Sequence, residues 1–211
     1  MIKNILFDMG GIILILDSAE SFRRFAGLGL NSEEYMGVYG QKDFFLDLES
    51  GTIDTTEFCR RLAKACGKKS ISHEDAQNCW LGFIKEAPVD RLNDLLRLKE
   101  KYHLGLLSNT NPFMMDYIDS TRLSSEGKPI SAYFDSLFLS YKMGICKPDP
   151  KIFEMALVAD GMKADETLFI DDSMKNIRAA ESVGMRTLHV PTNEDWMTPL
   201  QALLAEQAVT R

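Results

Sequence analysis

Residues 4–17 read NILFDMGGIILILD: an apolar run ends in Asp8, two glycines follow, and a second apolar run comes after them. A short apolar run bounded by glycine predicts a buried β-strand, here over residues 4–8. The second run, residues 12–16, predicts either another short strand or a turn packed beneath the first. An acidic residue that closes a buried strand is unusual in a core, so Asp8 is a candidate functional residue.

From Pro88 onward, short apolar strands alternate with amphipathic helices. We predict strands over residues 104–109, 136–140, 167–171 and 186–190. We predict helices over residues 90–101, 112–119, 149–160 and 173–183. This alternation is typical of a parallel sheet that is covered by helices on both faces, so we expect a Rossmann-like α/β core.

The stretch before Pro88 has a helical pattern and no strand candidates. We predict helices over residues 18–28, 32–48, 54–66 and 73–85. We therefore expect an all-helical subdomain, residues 17–87, inserted into an α/β core domain that is formed by residues 1–16 and 88–211. We interpret two of its aromatic residues as core, Trp80 and Phe83, and three as candidates for lining a substrate pocket, Tyr39, Phe44 and Phe45.

Composition limits the partners and the compartment. The chain has 211 residues, with 24 Lys and Arg against 31 Asp and Glu and a formal net charge of -7, which is unsuited to nucleic acid or an anionic membrane. The N-terminal apolar stretch is interrupted by Asp8 and ended by Asp17, so it is too short to span a bilayer. The four cysteines lack metal-ligand spacing and are interpreted as free thiols of a cytoplasmic protein. The oligomeric state stays open between monomer and homodimer.

Polar residues follow several of the predicted strands. They are Asp8, Ser108, Asn109, Asp171 and Asp172, and Lys147 precedes the helix that leads into the strand at 167–171. Because ligand sites in parallel sheets lie at the carboxyl ends of the strands, we expect these side chains to converge on one edge of the sheet.

This set of side chains predicts chemistry on a phosphate group. Three carboxylates at one place repel one another and favour a divalent cation, and all-oxygen ligation is typical of Mg²⁺. Lys147 would place a positive charge on a phosphate oxygen, and Ser108 and the backbone N–H of Asn109 would supply neutral donors. Asp8 would then act as a nucleophile and form an aspartyl-phosphate that water hydrolyses.

Four motifs resemble those of the haloacid dehalogenase (HAD) superfamily, in the same order. They are FDMGG at 7–11, LLSNTN at 106–111, KPDPKIF at 147–153 and FIDDSMKNIRAAESVGM at 169–185. The inserted stretch resembles the small helical cap of that superfamily. LESGTIDTTEF at 48–58 is similar to the cap of sugar-phosphate phosphatases, and bacterial α-glucose-1-phosphate phosphatases share the form of the first motif.

The resemblance implies roles for individual residues. It implies Asp8 as nucleophile and Mg²⁺ ligand, the carbonyl of Gly10 as a second ligand, and one or both of the acids at 171 and 172 on the metal. It implies that the phosphoryl group is bound by Ser108, Asn109 and Lys147. We expect Asn176 to hold the acid pair. The expected function is a Mg²⁺-dependent phosphomonoester hydrolase acting on a small phosphorylated metabolite such as a sugar phosphate.

One position departs from the superfamily pattern. Most phosphatases of this type carry a second aspartate where this chain has Gly10, so the general acid/base is missing there. Asp17 is our first candidate for that role, and a cap residue is the second. Two other functions stay open: a metal-independent 2-haloacid dehalogenase, which the adjacent acids Asp171 and Asp172 disfavour, and a non-catalytic binding domain.

Overall fold

The computed structural model of the chain describes residues 1–37 and 40–209. In chain order, its strands are β1 (Asn4–Phe7), β2 (Ile15–Leu16), β3 (Met36–Gly37), β4 (Gly40–Gln41), β5 (Ile84–Glu86), β6 (His103–Ser108), β7 (Ser136–Leu139), β8 (Thr167–Asp171) and β9 (Arg186–His189). Its α-helices are α1 (Ser18–Gly27), α2 (Ser32–Tyr35), α3 (Phe44–Glu49), α4 (Thr55–Ala65), α5 (His73–Leu81), α6 (Val89–Lys99), α7 (Pro112–Ile118), α8 (Ser140–Met143), α9 (Pro150–Ala159), α10 (Met174–Ser182) and α11 (Met197–Val209). Two 3-10 helices lie at Ile130–Tyr133 and Ala164–Glu166.

β1 is the central strand of a five-stranded sheet with the order β7-β6-β1-β8-β9. All neighbouring strands are parallel, and Ile5 pairs with Leu104 on one side and Leu168 on the other. The central position explains the uninterrupted apolar sequence of β1, because side chains on both of its faces are buried. The predicted Rossmann-like α/β core is confirmed.

The hydrophobic core lies on both faces of this sheet. Ile5 and Phe7 point to one face and belong to a cluster that extends into the residues between β2 and β5, which we call the insertion. Leu6 points to the other face and packs with Phe153 and Phe169 beneath α9 and α10. Because side chains alternate between the two faces along β1, this one short strand packs against the helical layers on both sides of the sheet.

The insertion is mainly helical but contains a short β-ribbon. The predicted helix over residues 32–48 is wrong: α2 ends at Tyr35, β3 and β4 pair in antiparallel fashion, and α3 begins at Phe44. Gly37 and Gly40 lie in this ribbon, and glycine disfavours a helix interior by about 1 kcal/mol. The expectation of an all-helical insertion therefore needs this correction.

The two connections between the insertion and the sheet pair with each other. β2 is antiparallel to β5, with Ile15 opposite Glu86. Residues 12–16 thus contain both of the structures left open by the sequence, a turn and then a two-residue strand. The predicted helix over residues 73–85 ends at Leu81 instead, because the chain must extend to form this pair.

An aromatic cluster forms the core of the insertion. Phe45 is fully buried, and its ring centroid lies 5.1 Å from that of Phe25, 5.0 Å from Phe58 and 5.3 Å from Trp80. Phe44 is also buried against this cluster. The expectation that Phe44 and Phe45 line a pocket is therefore wrong, because packing in the core occupies both rings. The expectation for Tyr39 lies outside the described residues.

No helix in the described part of the chain is both long enough and apolar enough to cross a lipid bilayer.

Candidate active site

A cavity of about 270 Å³ lies between the carboxyl ends of the central strands and the insertion. The residues that follow or lie near the strand ends contribute Asp8, Gly10, Ser108, Asn109, Lys147 and Asp172. The insertion contributes Gln41, Glu49, Trp80 and, next to β5, Phe83. All the sequence-predicted site residues except Asp17 and Asp171 therefore line one cavity.

Asp8 follows β1 directly, and its backbone N–H donates to the carbonyl of Ile170 on β8. Its Oδ1 accepts a hydrogen bond from Lys147 Nζ at 2.6 Å, while Oδ2 has no partner among the described residues. Burial raises the pKa of Asp8 to about 7, and Lys147 opposes that rise. One carboxylate oxygen is thus held by a cation and the other is available.

Lys147 lies between two carboxylates. Its Nζ donates to Asp8 Oδ1 and, at 2.7 Å, to Asp171 Oδ2, and its side chain is 1% exposed. The two carboxylates raise the pKa of Lys147 against the effect of burial, so the ammonium stays charged. Asn109 holds the Lys147 backbone with two hydrogen bonds of 2.8 Å, donating from Nδ2 to its carbonyl and accepting its N–H at Oδ1.

The side chain of Asn109 is therefore occupied, which leaves its backbone N–H as the group it can offer to a ligand. Ser108 is 1% exposed, and its hydroxyl donates to the carbonyl of Asn109 at a long 3.3 Å. Such a weak internal bond is easily exchanged for a better acceptor. Both residues line the cavity together with Asp8, and their binding of a phosphoryl group stays a prediction.

Asp171 is fully buried at the end of β8, and its oxygens are all in use. Oδ1 accepts from the Ser173 N–H at 2.7 Å and from Asn176 Nδ2 at 3.0 Å. Oδ2 accepts from Lys147 and from Asn176 Nδ2 at 3.0 Å. The expectation that Asn176 holds the acid pair is met for Asp171. With both oxygens bonded twice, Asp171 orients Lys147 and does not face the cavity.

Asp172 is the acid of the pair that lines the cavity. Its Oδ2 accepts from the Thr192 hydroxyl at 2.5 Å. Gly11 lies directly beside it with φ +78°, and a Cβ on Gly11 would be 2.7 Å from Asp172 Oδ2. Only glycine combines that backbone conformation with that approach. Thr192 carries no signal in the sequence, because it comes from a loop after β9.

Asp17 is not brought into the cavity. Its carboxylate accepts a hydrogen bond from the Glu20 N–H at 3.1 Å and caps the N-terminus of α1. Asp17 thus has the structural role of a helix N-cap, which Ser, Thr, Asn and Asp commonly have.

At Gly10, Leu16 occupies the space that a side chain would need, because its Cδ1 lies 2.9 Å from the position of a Cβ on Gly10.

The sequence leaves open whether one or both of the acids at 171 and 172 bind the metal, and in the structure Asp172 lines the cavity with Asp8 whereas Asp171 does not. Among residues 1–37 and 40–209, no group of three or more His, Cys, Asp or Glu is arranged to hold a metal ion. The reason is that Lys147 lies between Asp8 and Asp171. Asp8, Asp172 and Gly10 line the same cavity. This set fits Mg²⁺, which binds proteins through one or two carboxylates and completes its shell with waters and phosphate oxygens.

Comparison with known proteins gives full-length relatives. The family model for haloacid dehalogenase-like hydrolases matches residues 2–184. D-ribitol-5-phosphate phosphatase of Bacteroides thetaiotaomicron is 38% identical over 205 residues, which cover 97% of this chain and 99% of that protein. The structure of a HAD-like family hydrolase from Porphyromonas gingivalis superposes with a TM-score of 0.92 at 37% identity, covering 97% of this chain and 98% of that one. A HAD-family enzyme of Bacteroides thetaiotaomicron in complex with magnesium and inorganic phosphate gives a TM-score of 0.84 at 33% identity, covering 93% of this chain and 98% of that one. The order of the motifs, the fold and these matches show that the chain belongs to the haloacid dehalogenase-like hydrolase family.

Proposed function

We propose that the protein is a Mg²⁺-dependent phosphomonoester hydrolase in which Asp8 is the nucleophile. The observation that carries this proposal is the asymmetry of the Asp8 carboxylate, with Oδ1 held by Lys147 and Oδ2 available in the cavity. The relatives support it, since one is a D-ribitol-5-phosphate phosphatase and another was crystallised with magnesium and inorganic phosphate.

In the first step, an oxygen of Asp8 attacks the phosphorus of the substrate. A bond forms between that oxygen and phosphorus, and the bond between phosphorus and the alcohol oxygen breaks. Lys147, the Ser108 hydroxyl and the Asn109 N–H stabilise the charge on the phosphoryl oxygens in this proposal, which is supported by the position of all three residues around the cavity. The leaving oxygen takes a proton from solvent water and departs as the alcohol.

In the second step, water attacks the phosphorus of the phosphorylated Asp8. The bond between phosphorus and Asp8 breaks, inorganic phosphate leaves, and the carboxylate is restored. Asp171 acts throughout as a positioning residue, because its bonds to Lys147 and Asn176 hold the ammonium against Asp8.

The residues suited to hold Mg²⁺ are Asp8, Asp172 and the carbonyl of Gly10. We leave Asp171 out of this set because four hydrogen bonds occupy its two oxygens. Among the described residues of this region, the carboxyl groups of Asp8, Asp171 and Asp172 face one ammonium, that of Lys147, so a divalent cation is electrostatically favourable. When bound, Mg²⁺ would neutralise and orient the phosphate of the substrate.

The substrate class is a small phosphorylated sugar or sugar alcohol. A cavity of about 270 Å³ suits a small metabolite rather than a polymer. The relative that acts on D-ribitol 5-phosphate supports an acyclic polyol as the alcohol portion of the substrate.

All four cysteines are free thiols, which supports the predicted cytoplasmic location.

Phosphate release from D-ribitol 5-phosphate and a panel of sugar phosphates tests the proposal. We expect release that requires Mg²⁺ and is abolished by EDTA and by Asp8→Asn. The matched control is Asp160→Asn, an acid remote from the cavity that pairs with His103. Equal release by wild type and Asp8→Asn would overturn the proposal, and chloride release from a 2-haloacid without metal would favour a dehalogenase.

A further inference from the structure

Glu49 is a buried carboxyl group that the proposed mechanism does not use. It is the last residue of α3, is 8% exposed and lines the cavity. Within the described residues, its carboxyl group has no hydrogen bond and no ion pair. Burial alone raises its pKa to about 8, so near neutral pH it carries both an O–H donor and a C=O acceptor.

Four other residues of the same cavity have polar atoms that are buried without a partner in the part of the chain that the structure describes. They are Gln41 Oε1, Trp80 Nε1, Thr110 Oγ1 and Asn111 Nδ2. A buried polar atom without a hydrogen bond destabilises a fold by about 1–3 kcal/mol. Four of the six such atoms among the described residues belong to residues that line this one cavity, which supports a polar ligand there.

The hydrogen-bond donors and acceptors among these atoms indicate which kind of ligand fits the cavity. The set includes an acceptor on Gln41, donors on Trp80 and Asn111, and groups that do both on Thr110 and Glu49. Hydroxyl groups satisfy such a mixed set, because each can donate and accept. A second phosphate does not, because Lys147 is the one cation among the described residues that line the cavity, and Asp8 and Asp171 already pair with it.

These residues lie on the two sides of the cavity between which the alcohol portion of the substrate, its leaving group, extends. Gln41, Glu49 and Trp80 come from the insertion, whereas Thr110 and Asn111 follow Ser108 and Asn109 on the strand side. A substrate whose phosphate lies at Asp8 therefore extends its alcohol portion between the two sides.

We infer that Glu49 is a specificity-determining residue that, together with Gln41, binds hydroxyl groups of a polyol leaving group. The inference rests on the proposed function and adds to it the side chains that distinguish one phosphate ester from another. A site built to hydrogen-bond a hydroxyl discriminates strongly against an analogue without it, because its buried polar groups are then left unpaired.

The test compares kcat/KM for D-ribitol 5-phosphate and for n-pentyl phosphate, which has the same chain length without free hydroxyls. We expect Glu49→Met to lower the ratio of the two values at least about tenfold, mainly through KM for the polyol. Glu49→Gln keeps a donor and an acceptor, so it should retain most of the ratio. Glu154→Met, at an exposed position on α9, is the control and should not change it.

Equal losses on both esters in Glu49→Met would overturn the inference, since they would indicate proton transfer or a structural role. Thermal unfolding of each variant checks folding, and Gln41→Met is the second variant if Glu49→Met does not fold; an unchanged ratio in Gln41→Met would also overturn it. Failure of the wild-type protein to release phosphate from any ester, including p-nitrophenyl phosphate, would instead refute the proposed function itself.

Discussion

At the scale of single residues, the proposed catalytic acids are readable from the sequence and the residues proposed to contact the alcohol are not. Asp8 and Asp172 follow apolar strands, where an acid has no structural reason to be. Glu49 and Trp80 lie on helices whose periodicity indicates burial but not whether a buried side faces core or cavity. Trp80 does both: it packs against Phe45 and lines the cavity.

Lys147→Ala should destabilise the protein and abolish activity. It leaves Asp8 and Asp171 buried without their shared cation, and breaking a buried ion pair from one side costs about 3–5 kcal/mol. Urea unfolding and phosphate release measure the two effects. Lys151→Ala, at an exposed position, is the control, and a stability equal to wild type in Lys147→Ala would contradict the geometry described for this ion pair.

Gly11→Ala should weaken Mg²⁺ activation and lower the thermal stability. The added Cβ meets Asp172 Oδ2 at 2.7 Å in a backbone conformation with φ +78°. Gly127→Ala is the matched control, because Gly127 has φ +63° with open space around it and therefore isolates the cost of the backbone conformation. Activity as a function of Mg²⁺ concentration is the measurement, and identical Mg²⁺ dependence in both variants would refute the role of Gly11.

Glu49→Gln should stabilise the protein increasingly as the pH rises. In the folded state the pKa of Glu49 is raised from 4.5 to about 8, so the folded protein resists ionisation and the wild type loses stability as pH rises through that window. The Glu49→Gln variant has no ionisable group at this position and therefore does not lose stability as the pH rises through this window. The difference in unfolding free energy should be near zero at pH 4 and up to about 5 kcal/mol at pH 9. Urea unfolding at several pH values measures it, and a difference that does not vary with pH would contradict the burial of an unpaired carboxyl.

At the scale of elements, the strands of the central sheet are predictable and the boundaries inside the insertion are not. Apolar runs that end in polar residues mark β1, β6 and β8, because parallel strands are buried on both faces. The ribbon of β3 and β4 and the pairing of β2 with β5 involve strands of two or three residues. Elements that short leave no periodic pattern in a sequence.

Asp17→Ala should cost about 0.5–2 kcal/mol of stability through loss of the α1 cap. Because the Asp17 side chain lies outside the cavity, kcat should stay within about twofold of wild type, whereas removal of a general acid/base costs about 10²-fold or more. Asp17→Asn keeps the cap and is the control for stability. Thermal unfolding and steady-state kinetics decide between the two roles, and a hundredfold loss of kcat in Asp17→Asn would restore the catalytic role.

At the scale of the whole molecule, the chain is acidic, and we propose that it binds an anionic substrate through a few groups within one cavity. The net charge of -7 repels phosphate at long range. One buried ammonium, backbone donors at strand ends and a suitable set of Mg²⁺ ligands offset that repulsion inside one cavity. This convergence follows from the parallel sheet, because its carboxyl ends meet at one edge.

Covalent phosphorylation of Asp8 is the central claim, and acid quenching during turnover of D-ribitol 5-phosphate with Mg²⁺ tests it most directly. Mass spectrometry of the peptide that contains residues 4–17 should show one phosphoryl group on Asp8, and Asp8→Asn should show none. Release of inorganic phosphate at full rate, with no phosphoryl group found on Asp8 under any quench time, would contradict the account.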